Sequence, residues 1–400
     1  MKDYFVDLHV HIGRDSKGRP VKVSGARNLT LENIAREAAR HKGLDVVGVV
    51  DCASRRVLDD IDRLLESGAM EEAPGGGLRY LGRTTIIPGA EVEAACRGDA
   101  REGAKGSAHY VAYFATLAQV REFARELARH TSNIDLSTQR TRLLPRHVAQ
   151  LASDTGGLFV IAHAFTPHKS VYGTCAHRIA DVFGDESRRL VAGVELGLSA
   201  DTQMADRIEE LASYTFLSNS DAHSLPRMGR EYNVMRMESA SFAEVSLALA
   251  RIDGRRVAAN YGLDPRLGKY HLSACEVCEA RFSAAGAAPG CPECGSSRVV
   301  RGVADRIDEI ADRPEPRHPA HRPPYRHQVP LAFVPGVGPV AIAALIRAFG
   351  SEMAVLHHTT SDQLAEAVGE RLAARIVMAR EGRLAIRSGG GGTYGRALLE

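Results

Sequence analysis

From residue 1 to about residue 240, short apolar runs rich in valine and isoleucine alternate with segments of helical periodicity. The strand-like runs are Tyr4 to His11, Asp45 to Val50, Thr84 to Ala90, Ala108 to Phe114, Leu158 to Ala162, Leu190 to Val194 and Thr215 to Ser220. Leu31 to His41, Val57 to Gly68, Leu117 to His130 and Ala205 to Ala212 read as helices between them. Alternation of this kind predicts an α/β architecture with parallel strands.

Polar side chains fall at the ends of these runs. Tyr4 to His11 carries Asp7-Leu-His9-Val-His11. Later runs meet Asp51, Glu91, His163, Glu195 and Asp221-Ala-His223, and Ala108 to Phe114 holds His109. Side chains on a strand alternate faces, so His9 and His11 point the same way and can grip one metal ion. Asp7 can fix the tautomer of a ligating histidine from behind. A barrel of parallel strands assembles its active site at the strands' C-terminal ends, so residues scattered over two hundred positions are expected to converge. Taken alone, a His-x-His pair reads as readily as two solvated histidines.

After residue 260 the pattern changes. Cys275-x2-Cys278 and Cys291-x2-Cys294, with twelve residues between the pairs, have the spacing of a four-thiolate structural zinc site. A proline- and histidine-rich stretch follows and is expected to be an extended connector. Then Pro335-Gly336-Val-Gly338-Pro339 precedes an apolar-periodic helix, Ala341 to Phe349, with a weaker copy at Ala367 to Glu370 before Leu372 to Ala379. Amides at a Gly-rich turn entering a helix bind anions without reading sequence, so Gly336 and Gly338 are candidate DNA-backbone contacts. A tight connection between two packed helices is the plainer alternative.

Composition narrows the class. An apolar content of 44% with 25% charged residues is that of a globular chain, and no apolar run approaches the roughly 18 residues of a membrane span. The N-terminus lacks the basic and apolar regions of a leader, which predicts a cytoplasmic, nucleoid-associated protein without a membrane partner. The net charge of +2 decides little, but its distribution is uneven. Arg14, Lys17, Arg19, Lys22 and Arg27 crowd the loop after the His pair, and six arginines lie between residues 371 and 400. Such clusters suit a phosphate backbone, or are solvated loops. Candidate phosphate contacts are Arg14, Lys17, Lys22, Lys169, Arg227 and Arg230.

The ordered set His9, His11, Asp51, Glu91, His109, His163, Asp221 and His223 resembles the metal-binding pattern of the polymerase and histidinol phosphatase (PHP) domain family, a distorted barrel of seven strand-helix units. The resemblance implies one divalent cation (zinc, manganese or magnesium) on His9, His11, Glu91 and Asp221, and a second on Glu91, His109 and His163. A third family position uses a His after the first pair, a His after the second strand and the last His. Here Asp51 replaces the second of these, His223 is present, and no His lies between Ile12 and Arg40. Asp51 and His223 are left for a weak third metal or for proton transfer to the leaving oxygen, alongside Asp221.

The order of barrel, ribbon and hairpin, with Val50-Asp51-Cys52, His163-Ala-Phe-Thr-Pro167, Ser218-Asn-Ser-Asp221-Ala-His223 and His321-Arg-Pro-Pro-Tyr325, resembles the endonuclease Q family over almost the whole chain. Expected domains are a PHP barrel over 1–260, a zinc ribbon over 261–305, a connector over 306–330, a helix-hairpin-helix domain over 331–385 and a flexible tail over 386–400. The resemblance implies hydrolysis of DNA on the 5′ side of deaminated bases (uracil, hypoxanthine, xanthine) or of abasic sites, in single- or double-stranded DNA. Phe165 and Tyr172, in the loop after His163, are candidates for a wedge that fills the gap, and read as readily as core aromatics. The rivals are a small-molecule phosphatase of the PHP family and a non-catalytic DNA-binding scaffold.

Overall fold

Seven strands form where the apolar runs predict them, and they lie in chain order across one sheet: Lys2–Val10, Val46–Val49, Thr84–Ala95, Ser107–Tyr113, Leu158–Ile161, Val191–Glu195 and Phe216–Leu217. The structure is a computed structural model and describes residues 1–96, 106–283 and 290–398. Beyond Leu217 the chain returns to the first strand. Val10 bridges Ala222, the His11 N–H donates to the Ala222 carbonyl (3.0 Å), and the Ala222 N–H donates to the His9 carbonyl (3.2 Å). The sheet thereby closes into a distorted seven-strand barrel. Tyr232–Met237, Arg256–Gly262 and Tyr325–His327 extend it outward from the first strand.

The expectation of parallel strands fails at one place. Ser107–Tyr113 runs antiparallel to both neighbours, Thr84–Ala95 and Leu158–Ile161. Residues 96–106 are too few for the crossover that a parallel pair requires. The reversal puts His109, near the start of its strand, at the rim where the other strands end.

Tyr4, Val6, Leu8, Val46, Ile87, Val111, Val160 and Leu217 form one apolar cluster from around the ring, joined by Phe242, Val245 and Leu249 of the helix Phe242–Ala250. A larger cluster covers the outside, where Ile34, Ile61, Phe123 and Val148 pack from surrounding helices. Local signals set those helices. Thr30, Thr116 and Ser241 cap N-termini through their hydroxyls, and Pro145 opens its helix in the first turn. The helix predicted over Ala205 to Ala212 is instead Thr202–Ala205 followed by a separate turn at Glu209–Ser213. Between them Asp206 is buried and accepts hydrogen bonds from Arg322 and His318, which anchors the proline-rich segment to the barrel.

The ribbon forms three short strands, Ser273–Cys275, Arg281–Phe282 and Val299–Val300. The expected domain boundary at residue 306 falls inside a helix, Val303–Ile310, whose Val303, Ile307 and Ile310 are buried along one face. Among the described residues, the proline-rich stretch Arg313 to Pro330 that follows contains no helix, as its composition predicts. Four helices follow: Pro339–Phe349, Glu352–His357, Ser361–Val368 and Glu370–Arg380. Leu345, Leu364 and Ile376 join the larger apolar cluster, and the helix Glu352–His357 meets the barrel where Lys42 bonds Glu352.

The tail, expected to be flexible, is folded as far as Leu398; its last two positions, 399 and 400, lie outside the described residues. Ala385–Arg387 pairs with Arg396–Leu398. Between them Gly389, Gly392 and Gly395 donate backbone hydrogen bonds to the carbonyls of Arg266, Lys269 and Leu267. A Cβ at Gly389 or Gly395 would sit 2.5 Å from a backbone oxygen of that segment. Glycine here permits backbone to lie on backbone, where composition alone suggests disorder. Outside the ribbon, Cys96 and Cys175 form a disulfide that ties the end of Thr84–Ala95 to the turn after His163. Among the described residues no helix is long and apolar enough to cross a membrane.

Candidate active site

Two sets of ligand-type atoms meet at the rim of the barrel: His9, His11 and Asp221 form one, and Glu91, His109 and His163 form the other. Within each set the atoms lie within 4.8 Å of one another. Glu91 stands between them. Its Oε1 lies 3.4 Å from His9 Nε2, 3.0 Å from His109 Nδ1 and 3.4 Å from His163 Nε2, while its Oε2 lies 3.4 Å from His11 Nε2. Asp221 Oδ1 faces His9 Nε2 and His11 Nε2 at 3.7 and 3.5 Å. His9 Nε2 and Glu91 Oε1 are buried without a hydrogen-bond partner. Buried polar atoms are ordinarily satisfied, so converging donors of this kind fit a pair of divalent cations.

The backbone around the site is specialised. Thr138, His163, Lys169 and Asp221 all have positive φ, a conformation that costs free energy and clusters at functional sites. The loop carrying Asp221 is held from below. Asp7 accepts hydrogen bonds from the Ser220 and Gly229 amides, and Asn233 bonds both Ser218 and Asn219. Asp7 therefore braces this loop rather than orienting a ligating histidine as expected.

That orienting role falls to other carboxylates. Glu195 Oε2 lies 2.9 Å from His9 Nδ1. Asp51 lies 3.2 Å from His11 Nδ1 and also accepts from the Ile12 amide and the Ser137 hydroxyl. Both carboxylates have no exposed side-chain surface. Asp51, expected at a third metal position or as an acid, sits behind His11 with its oxygens occupied, so it is turned away from His223. His223 remains at the rim, its Nδ1 3.0 Å from the Asp221 carbonyl.

Charge sets the ionisation. Burial alone would raise the Glu91 and Asp221 carboxyls, but His109, Lys22 and His11 around Glu91, and His11, His9 and His223 around Asp221, hold both well below the usual range. Burial, and then the neighbouring His11, bring His223 down to about 4. Burial also opposes a charged His9, and Glu195 leads the carboxylates that raise it nonetheless.

The cluster floors a cavity of about 460 Å³, within the range of pockets that enclose a small ligand. Lys22, Lys169, Arg227, Arg230 and Lys269 line it together with Leu198, Tyr270 and Tyr394. Of the predicted cations, Lys22 bonds Glu91 and Thr138, and Lys169 bonds Glu93. Arg230 is buried and spends its guanidinium on the Ser220 carbonyl and the Tyr394 hydroxyl, so it braces the wall. Arg14 bonds the Gly18 carbonyl and, with Lys17, is absent from the cavity lining. Of the two readings of Phe165 and Tyr172, wedge or core aromatics, the second fits: both are buried and stacked on each other at 5.0 Å. Sequence reasoning left Glu195 out of the site although it ends a strand. It missed Thr138, Tyr270 and Tyr394, which carry no local motif.

Elsewhere, Cys275 and Cys294 approach to 3.6 Å between sulfurs and Cys278 and Cys291 to 3.5 Å, and all four converge as a metal-capable cluster. Gly336 has positive φ, a Cβ there would lie 2.6 Å from Arg375 Nη1, and Gly338 caps the helix Pro339–Phe349.

No family model matches the chain. It is 46% identical over 397 residues to the uncharacterized protein YqxK of Bacillus subtilis, covering 99% of both chains. It is 38% identical over 254 residues to the uncharacterized protein MJ0043 of Methanocaldococcus jannaschii, spanning 31% of that longer chain. Among solved structures, it superposes on the lesion-specific endonuclease PfuEndoQ of Pyrococcus furiosus with a TM-score of 0.84 and 33% identity, covering 100% of this chain and 96% of that one. An Endonuclease Q complex with a 27-mer duplex carrying an abasic lesion at its active site matches with the same score and identity, over 97% of its chain. A correspondence that runs from end to end at this identity makes the chain a member of the endonuclease Q family.

Proposed function

We propose that this protein is a metal-dependent DNA endonuclease that hydrolyses the phosphodiester on the 5′ side of deaminated bases (uracil, hypoxanthine, xanthine) or of abasic sites. The observation that carries the reading is the pair of ligand sets joined by Glu91 on the floor of a cation-lined cavity, in a chain that matches a lesion-specific endonuclease throughout. His9, His11, Asp221 and Glu91 would hold one divalent cation, and Glu91, His109 and His163 a second. Such a pair, when bound, supplies Lewis acidity and makes water a nucleophile at neutral pH. Glu195 and Asp51 fix the ring orientations of His9 and His11, and such outer partners support both geometry and basicity. Lys22, Lys169, Arg227 and Lys269 line the cavity and would meet the phosphate, whose charge must be balanced inside a partly enclosed site. A base inspected in such a cavity leaves the helical stack first, most readily where pairing is already weak.

Zinc on Cys275, Cys278, Cys291 and Cys294 would hold the ribbon closed. The Gly336 and Gly338 hairpin would meet the DNA backbone through its amides. Incubation with lesion-bearing and intact duplexes in manganese or magnesium tests the reading. Nicking 5′ of the lesion is expected, and Asp221→Asn should lower it by about a thousandfold while DNA binding changes only a few-fold. Phosphate release from small phosphomonoesters without nicking would overturn it.

A further inference from the structure

The loop after the first strand places a lysine ammonium at the ligand cluster. Lys22 is held by its backbone: its N–H donates to the Ile12 carbonyl and its own carbonyl accepts from Gly25, while the flanking Val21 bonds Gly13 and Ser137. Its side chain is only 14% exposed. The ammonium lies 3.2 Å from Glu91 Oε2 and 2.5 Å from the Thr138 hydroxyl, which itself donates to the same Glu91 oxygen at 2.6 Å. It also lines the cavity beside His11, Asp221 and His223.

Among the described residues, the donors for a third metal are not assembled beside it. Asp51 is committed to the Ile12 amide, His11 and the Ser137 hydroxyl. His223 belongs to neither ligand set found at the rim among the described residues. One imidazole is too small a donor set for a divalent cation, and a fixed ammonium next to it would repel one.

We propose that Lys22 is the third cation of this active site: its ammonium supplies the charge that a third metal would supply, neutralises Oε2 of Glu91, and meets a non-bridging oxygen of the scissile phosphate. This rests on the phosphodiesterase reading of the same site. A lysine supplies one positive charge that needs no metal supply and cannot exchange with solvent ions.

Metal analysis of the full-length protein, dialysed after saturation with manganese and zinc, tests the proposal independently of any substrate. Three ions per chain are expected, one for each ligand cluster, in the wild type and in Lys22→Met alike. A fourth ion in the wild type would overturn the proposal. In the nicking assay Lys22→Met should cut about a hundredfold more slowly, with Lys22→Arg retaining most of the rate, as expected when a preorganised charge is removed or kept. Wild-type cutting by Lys22→Met would also overturn it. If the wild type nicks no lesion duplex, the nuclease reading fails, while metal content still decides whether the barrel binds a third ion. If Lys22→Met does not fold, the wild-type metal content and Lys22→Arg decide.

Discussion

His9 illustrates what a single residue needs in order to serve as a ligand. It points one nitrogen at Glu91 and Asp221 while the other lies 2.9 Å from Glu195. Glu195→Gln keeps the shape but removes the charge behind the ring. It should weaken metal binding at the barrel by about 10–100-fold, measured by competition with a chelator, and leave the ribbon metal in place. Glu231 is the opposite kind of buried carboxyl. It accepts the Leu263 amide through one oxygen, the other has no partner, and burial pushes it from 4.5 up to about 8. The folded state therefore favours the protonated form. Its contribution is fully present below the ordinary value of 4.5 and is lost as pH rises through 8. Glu231→Gln should raise stability by about 2 kcal/mol near pH 8.5 and by little near pH 4.5, seen as a pH-dependent gain in Tm.

At the level of elements, the C-terminal hairpin is an active-site wall. Its glycine turn lies on residues 266–272 and presents Tyr394, whose hydroxyl accepts from Arg230 and whose ring lies 5.8 and 5.7 Å from the Arg227 and Arg230 guanidinium carbons. The same ring lines the cavity. A base leaving the stack gains about 1–3 kcal/mol from an aromatic face. Tyr394→Ala should therefore weaken binding of a uracil-bearing duplex about tenfold in fluorescence anisotropy, without changing metal content.

Across the whole molecule, distant segments are clamped together. Lys42 is buried, and its ammonium donates to Glu352 at 2.8 Å and to the Pro226 carbonyl at 3.0 Å. Next to it, Gly43 lets the helix Glu352–His357 approach so closely that a Cβ would meet the Ser351 hydroxyl. Phe5 and Tyr261 pack against His357, and the Tyr232 hydroxyl lies 2.6 Å from its Nε2. Removing one partner of a buried pair leaves the other uncompensated, so Lys42→Met should cost about 3 kcal/mol in denaturant unfolding. Adding Glu352→Gln should recover part of that loss.

Much of this was written in local order. Period-two apolar runs, capped helices, the His-x-His pair, the strand-end carboxylates and the two CxxC pairs each depend on near neighbours, so they announce strands, helices and ligands one at a time. The direction of the strand bearing His109 is settled only by its pairing with both neighbours. The turning of Asp51 behind His11, the Glu195 contact to His9 and the placement of Lys22 on Glu91 join positions 40 to 186 residues apart. The glycine turn of the tail is the clearest case: composition alone points to disorder, and its order comes from a partner surface more than a hundred residues away. Sequence by itself determined which residues could bind metal and on which elements they stand. Only the tertiary structure decided which of them converge, which stand behind, and which ammonium lies against Glu91, because those placements rest on distances between side chains that the chain brings together only when the barrel closes.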